Sequence, residues 1–219
     1  NFPGQFKHLV PALVNRGENC SALTRSVAKE SSWNGVKVFP YTEGVRPTPG
    51  LNSWLAPLES QLQRGQSCFL AALELKKKGY SPDIIIAHPG WGETMFLRDL
   101  WPDVKIGLFW EMYYRVPGSE ADFDPEFPLQ DKTLRAMRLR IKNINYLLHQ
   151  QVGDLGLCPT QFQASSLPPD LRKAVSVIHD GVDTNTLLPN PRAQFELEDG
   201  SVLTANDEVI TFVNRNLEP

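Results

Sequence analysis

The feature that most constrains this chain is a continuous β-branched run, Asp83-Ile84-Ile85-Ile86-Ala87, that stops abruptly at His88-Pro89-Gly90-Trp91-Gly92-Glu93. A short apolar run without alternation reads as a strand buried on both faces, the situation found in parallel sheets covered by helices. Similar runs follow at Val104 to Trp110, Leu155 to Cys158 and Val175 to Ile178. Stretches with helical spacing separate them. This alternation predicts βαβ units and an α/β fold: a Rossmann-like, doubly wound, mostly parallel sheet with helices on both faces.

The helical stretches are legible one by one. Phe6, Leu9, Val10, Leu13 and Val14 recur at helical spacing before Gly17, with Pro11 inside the pattern. From Leu51 to Lys78, Leu55, Leu58, Leu62, Phe69, Ala72 and Leu75 share a predicted core face, with Gly65 expected to break the helix in two. Lys76, Lys77 and Lys78 suit its last turn, and Gly79 its stop. The strongest helix pattern places Leu134, Met137, Ile141, Ile144 and Leu148 on one face. Further strands are expected at Cys20 to Thr24, Val36 to Tyr41 and Val209 to Val213. Arg46 to Asn52 reads as a loop, Gly118 to Pro128 as an acidic loop, and 190–208 as a linker or hairpin.

Composition narrows the function classes. A net charge of -3 over 219 residues points to neither nucleic acid nor an anionic membrane as a partner. The basic run Arg135, Arg138, Arg140, Lys142 reads as a solvated helix face or as a contact for phosphates. Three widely spaced cysteines, Cys20, Cys68 and Cys158, form no metal-binding pattern and suit a reducing, cytoplasmic compartment. No apolar run approaches the ~20 residues needed to span a bilayer.

In sheets of this kind, ligands bind at the carboxyl ends of the strands. His88 to Glu93 offers Gly90 and Gly92 for close backbone approach, Trp91 for stacking and Glu93 as a hydroxyl acceptor. Glu111, flanked by Trp110, Tyr113 and Tyr114, is either a base or sugar-hydroxyl acceptor with a raised pKa, or a structural partner of Arg115. Gly4 and Gln5, at the start of a helix, are candidates for phosphate or sugar contact. His179-Asp180-Gly181-Val182-Asp183 matches no standard metal-ligand spacing, and Asp183 reads as a cap.

Taken in order, Asn1-Phe2-Pro3-Gly4-Gln5-Phe6, Pro82 to Glu93, Val177 to Thr184 and Ile210 to Pro219 resemble the bacterial family 4 glycosyltransferases. That resemblance implies the GT-B architecture, in which two Rossmann-like lobes face each other across a cleft. It implies a retaining, hexosyltransferase-type transfer from a nucleotide-sugar to a glycan, lipid or small-molecule acceptor, with no essential metal or cofactor, in cell-envelope or exopolysaccharide synthesis. Glu111, the catalytic candidate from its own surroundings, stands at a position where many relatives carry histidine, a departure from the family's pattern. By the same resemblance, Gly4 and Arg215 would contact the donor, and Gln5, His88, Gly90, Trp91, Glu93, Tyr113 and Arg115 would line the acceptor site. The expected domains are an acceptor-side lobe at 1–189, a linker or hairpin at 190–208, and the first strand of a donor-binding lobe at 209–219.

Its partners would then be the two substrates and its own carboxyl-terminal lobe, with room for peripheral membrane association of the full-length protein and none for nucleic acid. The family's first strand would precede Asn1, and its acidic donor-binding motif would follow Pro219. The isolated chain is therefore expected to bind donor weakly and to transfer nothing measurable. Two other readings stay open: a non-catalytic carbohydrate- or nucleotide-binding module, and a GT-B-like sugar-nucleotide epimerase. The absence of a GxGxxG after any strand argues against a dinucleotide-binding domain.

Overall fold

Strands of three to five residues organise the chain, and from Val36 to Val177 a helical segment follows each strand but the last. The computed structural model describes residues 2–42, 47–116, 126, 128 and 131–210. Two compact units divide at His179 and Asp180.

In the first unit, a single-turn 3₁₀ helix at Gly4–Phe6 leads into α1 (Leu9–Asn15). Pro11 lies in the first turn of α1, where a backbone N–H has no intrahelical acceptor, so its missing donor costs little. Strands β1 (Ser21–Thr24), β2 (Ser31–Trp33) and β3 (Val36–Pro40) form a sheet ordered β1-β3-β2. β1 and β3 are parallel, whereas β2 and β3 form an antiparallel hairpin. Its turn is Asn34-Gly35, with φ of 46° and 81°. An Asn-Gly pair with both φ positive is the preferred two-residue hairpin turn, so β2 was readable from that dipeptide although the hydrophobic pattern alone passes over it.

α2 (Ala56–Lys77) then runs unbroken for 22 residues, against the expectation of a break at Gly65. Its buried positions are Gly65, Cys68 and Ala72, a stripe of small side chains that brings the helix backbone close to what lies beneath. Leu62, counted on the expected core face, is 40% exposed. β4 (Ile84–Ala87), β5 (Lys105–Phe109), β6 (Leu155–Cys158) and β7 (Val175–Val177) form the expected parallel sheet, in sequential order. β4 is its edge. Ile85 packs inward, but Ile84 and Ile86 are 52% and 37% exposed, so burial of the run on both faces is corrected to burial on one.

A short α3 (Leu97–Leu100) follows β4. α4 (Lys132–Lys142) and α5 (Ile144–Gln150), joined at Asn143, return the chain from β5 to β6. α6 (Gln161–Ser166) and α7 (Pro169–Arg172), separated by the Leu167-Pro168 break, lead to β7. The larger core cluster joins Ile106 and Leu108 of β5 to Tyr146, Cys158, Ala164 and Leu167. A second cluster sets Ala72 of α2 against Leu97, Leu100 and Trp101, with Leu23 of β1 and Ile85 of β4 packed on it.

The α4–α5 pattern is rotated relative to expectation: Ile141 and Ile144 of the expected face are half-buried. Leu139, Asn143, Tyr146 and His149 turn inward, whereas Leu134, Met137 and Leu148 are exposed. Polar partners reward the inward placement of Asn143, Asn145 and His149.

In the second unit, β8 (Gln194–Glu196) and β9 (Val202–Thr204) form an antiparallel hairpin. Of the expected strand at Val209 to Val213, residues 211–213 lie outside the described residues, as do Arg215 and most of the acidic loop.

Candidate functional site

The carboxyl ends of β4 and β5 lie side by side, because Ala87 pairs in register with Leu108. The chain leaves β4 at His88 and passes beyond β5 to Glu111, and these two side chains meet there. The backbone N–H of Gly90 donates to His88 Nδ1 at 3.0 Å. An N–H can only donate, so Nδ1 accepts, and in the neutral ring the proton sits on Nε2. That nitrogen is 3.1 Å from Glu111 Oε2 and donates to it. His88 is 8% exposed and the Glu111 side chain 55%. A buried, oriented imidazole thus holds a carboxylate that reaches into solvent. Glu111 is not enclosed by the aromatic residues beside it, for Trp110 is buried against Tyr146.

The loop from Pro89 to Glu93 is itself held from three sides. Gln61 Nε2 on α2 donates to the Gly90 carbonyl at 2.9 Å. Asn145 Nδ2 on α5 donates to the Pro89 carbonyl at 2.7 Å. Tyr41, just past β3, donates its hydroxyl to Glu93 Oε1 at 2.8 Å. Burial first, and then the Glu93 carboxylate, raise the Tyr41 phenol above its ordinary range and keep it a donor. The same two causes raise the buried Cys68 thiol.

The close approaches expected at the glycines are made to protein. A Cβ on Gly90 would stand 2.6 Å from His88 Cε1, and one on Gly92 would strike the Gln61 carbonyl. Trp91 keeps an exposed ring 5.4 Å from the Arg64 guanidinium carbon, in cation–π geometry.

The segment after Glu111 is pinned by two side chains. The Tyr113 N–H donates to Ser166 Oγ at 2.9 Å. Asn143 accepts from the Tyr114 N–H at 3.1 Å and returns an Nδ2 donor to the Tyr114 carbonyl at 2.6 Å. Behind the loop, His149 is fully buried. Its Nδ1 faces the Asn145 carbonyl at 2.8 Å and must donate, so Nε2 accepts from the Thr94 hydroxyl at 3.0 Å. Burial pushes the His149 imidazole down to about 4, which keeps it neutral.

Of the residues expected from sequence, His88, Gly90, Trp91, Glu93, Glu111 and Tyr113 therefore fall on two adjoining loops, with Arg115 exposed at the end of the second. Gly4 and Gln5 lie on the separate Gly4–Phe6 turn. Phe2, just before that turn, packs edge-on against Trp33, with centroids 5.2 Å apart. Asp183 acts as a turn cap, accepting from the Asn185 N–H at 3.0 Å and the Thr186 hydroxyl at 2.8 Å.

The residues that sequence reasoning passed over are the supports: Tyr41, Gln61, Thr94, Asn143, Asn145 and His149. Asn143, Tyr146 and His149 continue the helical spacing of Leu139, and that polar periodicity was the available signal.

With this geometry in view, the comparisons are specific. The family described as "Glycosyl transferase family 4 group" matches residues 16–187, most of the chain and all of both loops. No curated protein matches it.

Proposed function

Because this chain belongs to the glycosyl transferase family 4 group, we propose that it forms the acceptor-side lobe of a retaining, hexosyltransferase-type enzyme using a nucleotide-sugar donor. The observation that carries this reading is the contact between His88 and Glu111 at the ends of two neighbouring parallel strands, where ligands of such sheets bind.

In this reading Glu111 meets the acceptor. The acceptor hydroxyl lies against the solvent-facing carboxylate, and its oxygen bonds to the anomeric carbon on the same face from which the bond to the donor phosphate breaks, which keeps the configuration. The hydroxyl proton passes to Glu111. His88 acts as a positioning residue, because its one Nε2 proton fixes the carboxylate rotamer. Trp91, beside the same loop, supplies an exposed apolar face of the kind sugar rings stack on. Gly4 and Arg215 are proposed for the donor side, where the always-charged guanidinium suits a diphosphate. No cofactor enters this scheme. Three free cysteines, two of them buried, support a reducing cytoplasmic setting.

The test is a panel of sugar nucleotides offered to the full-length protein with and without acceptors, following nucleotide release. Glu111→Gln keeps the shape and removes the basicity, so kcat should fall at least about a hundredfold, the usual scale of general-base catalysis. An unchanged kcat in a folded variant rejects Glu111 as the base.

A further inference from the structure

Three cation–aromatic pairs lie among the described residues: Arg64 over Trp91, Arg138 over Trp54 and Lys142 over Tyr114. About one such pair per 70–80 residues is ordinary, so three in a chain of 219 residues is no excess. Their placement carries the information. Trp91 stands on the loop of His88, with 6.3 Å between the two ring centroids. His88 holds Glu111, and Tyr114 follows on the second loop. Lys142 Nζ lies 3.3 Å from the Tyr114 centroid. Arg138 is one turn, about 6 Å, back along α4, and its guanidinium carbon lies 5.5 Å from the Trp54 centroid. The pairs therefore follow one another around the two loops, and in this chain of contacts Glu111 stands between the first pair and the other two.

Each pair combines the two surfaces that an acidic sugar requires, an apolar ring to stack on and a cation to meet a carboxylate. A guanidinium lying over a ring uses its flat face, which directs its N–H donors sideways in the fork that matches a carboxylate. The ring also restricts the long side chain in advance, so less rotamer freedom is lost on binding. Trp91 is 39% exposed, which leaves room for a sugar beside Arg64. The cations sit singly, each on its own ring, instead of converging on one point. That spacing suits one charge per sugar residue better than the concentrated charge of a diphosphate. α4 itself carries no acidic side chain to oppose them.

We propose that the acceptor is an acidic glycan, a chain of sugars bearing carboxylates, and that Arg64, Arg138 and Lys142 select it. This names the substrate class of the acceptor site proposed above and rests on that reading. Glu111 takes the hydroxyl proton of the terminal sugar, and the cation–aromatic pairs hold the residues behind it.

Calorimetry on the full-length protein without donor tests it. The probes are glucuronate, galacturonate and mannuronate trimers, each beside its carboxyl-reduced form, with sodium pyrophosphate as the diphosphate. At least one carboxylated trimer should bind, its reduced form about tenfold more weakly or worse, and high salt should shrink the difference. Arg64→Gln and Arg138→Gln should each weaken the carboxylated trimer about tenfold and leave the reduced trimer unchanged. Lysine at either position should recover part of the affinity. Should a Gln variant misfold, Lys142→Gln and the salt dependence decide the matter. Equal binding of carboxylated and reduced trimers, or binding of neither, overturns the proposal. So does pyrophosphate that displaces the trimer and loses affinity in the same variants, which would assign the cations to a phosphate-bearing ligand. Glu111→Gln should keep the trimer affinity while losing turnover. If it binds the trimer and still turns over, Glu111 is rejected as the base and the acidic-glycan site stands, so the two readings fail separately.

Discussion

A Cβ placed on Gly65 would stand 2.8 Å from the carbonyl oxygen of Gly92, so α2 and the loop after β4 touch backbone to backbone. The contact is reciprocal, because a Cβ on Gly92 would strike the Gln61 carbonyl. Gln61 Nε2 secures it with its hydrogen bond to Gly90. The position of the candidate site thus depends on a glycine in the middle of a helix.

Gly65→Ala therefore sets two effects against each other. Alanine gains about 1 kcal/mol of helix propensity over glycine, but overpacking against a backbone that cannot yield costs about 1–3 kcal/mol. The cost should win. Denaturant unfolding should show a lower midpoint with an unchanged slope, and a higher midpoint would mean that the loop can move away from α2.

His149 ties stability to pH. Its folded pKa, about 4, lies below the ordinary value of 6.5, so as pH falls through 6.5 the unfolded chain takes up a proton first. Stability is full above that point, is lost between about 6.5 and 4, and loses nothing further from this group below 4. The loss is on the order of 3 kcal/mol. Asp154 acts in a more acidic window, since hydrogen bonds from Arg98 and the Ile106 N–H hold its carboxyl below the usual range. Urea titrations from pH 7 to 4 should show the slope, and His149→Gln should flatten it.

Asn143→Ala should release the segment after Glu111. Two hydrogen bonds to Tyr114 are lost, and leaving such groups unpaired costs about 1–3 kcal/mol. The Tyr114 amide should exchange with deuterium markedly faster than in the parent, while amides of β4 and β5 keep their protection. Uniformly faster exchange would indicate global loosening instead.

The three thiols should separate by access. Burial raises Cys158 to about 11 and pushes Cys68 still further, while Cys20 is only partly covered. Native protein at neutral pH should take up one equivalent of an alkylating reagent, at Cys20, and all three thiols should react in denaturant. Mass spectrometry of the native digest would reveal any labelling of Cys68 or Cys158.

Arg215→Ala in the full-length protein should weaken donor binding by about 1.5–3 kcal/mol, the range for a hydrogen bond to a charged group. Unchanged affinity by calorimetry would remove Arg215 from the donor site.

Much of the fold was written in local pattern. β6 and the parallel sheet follow from short apolar runs, and the loops bearing His88 and Glu111 from where those runs stop. Both are one-dimensional signals, since strand period and turn chemistry depend on neighbours in the chain. The pairing of His88 with Glu111 was not legible, because 23 residues separate them and only the β4–β5 register brings them together.

By itself, the sequence determined the class of fold, most of its strands and the two loops at which chemistry is available. Tertiary structure decided which faces those elements bury. The Ile84 run became an edge strand, Gly65 a contact point rather than a break, and Leu134, Met137 and Leu148 part of the outer surface. The physical reason is that periodicity tells only that a helix or strand has two unlike faces. Which face turns inward depends on the partners waiting there. For α5 these were the Pro89 carbonyl and the Thr94 hydroxyl, which Asn145 and His149 satisfy.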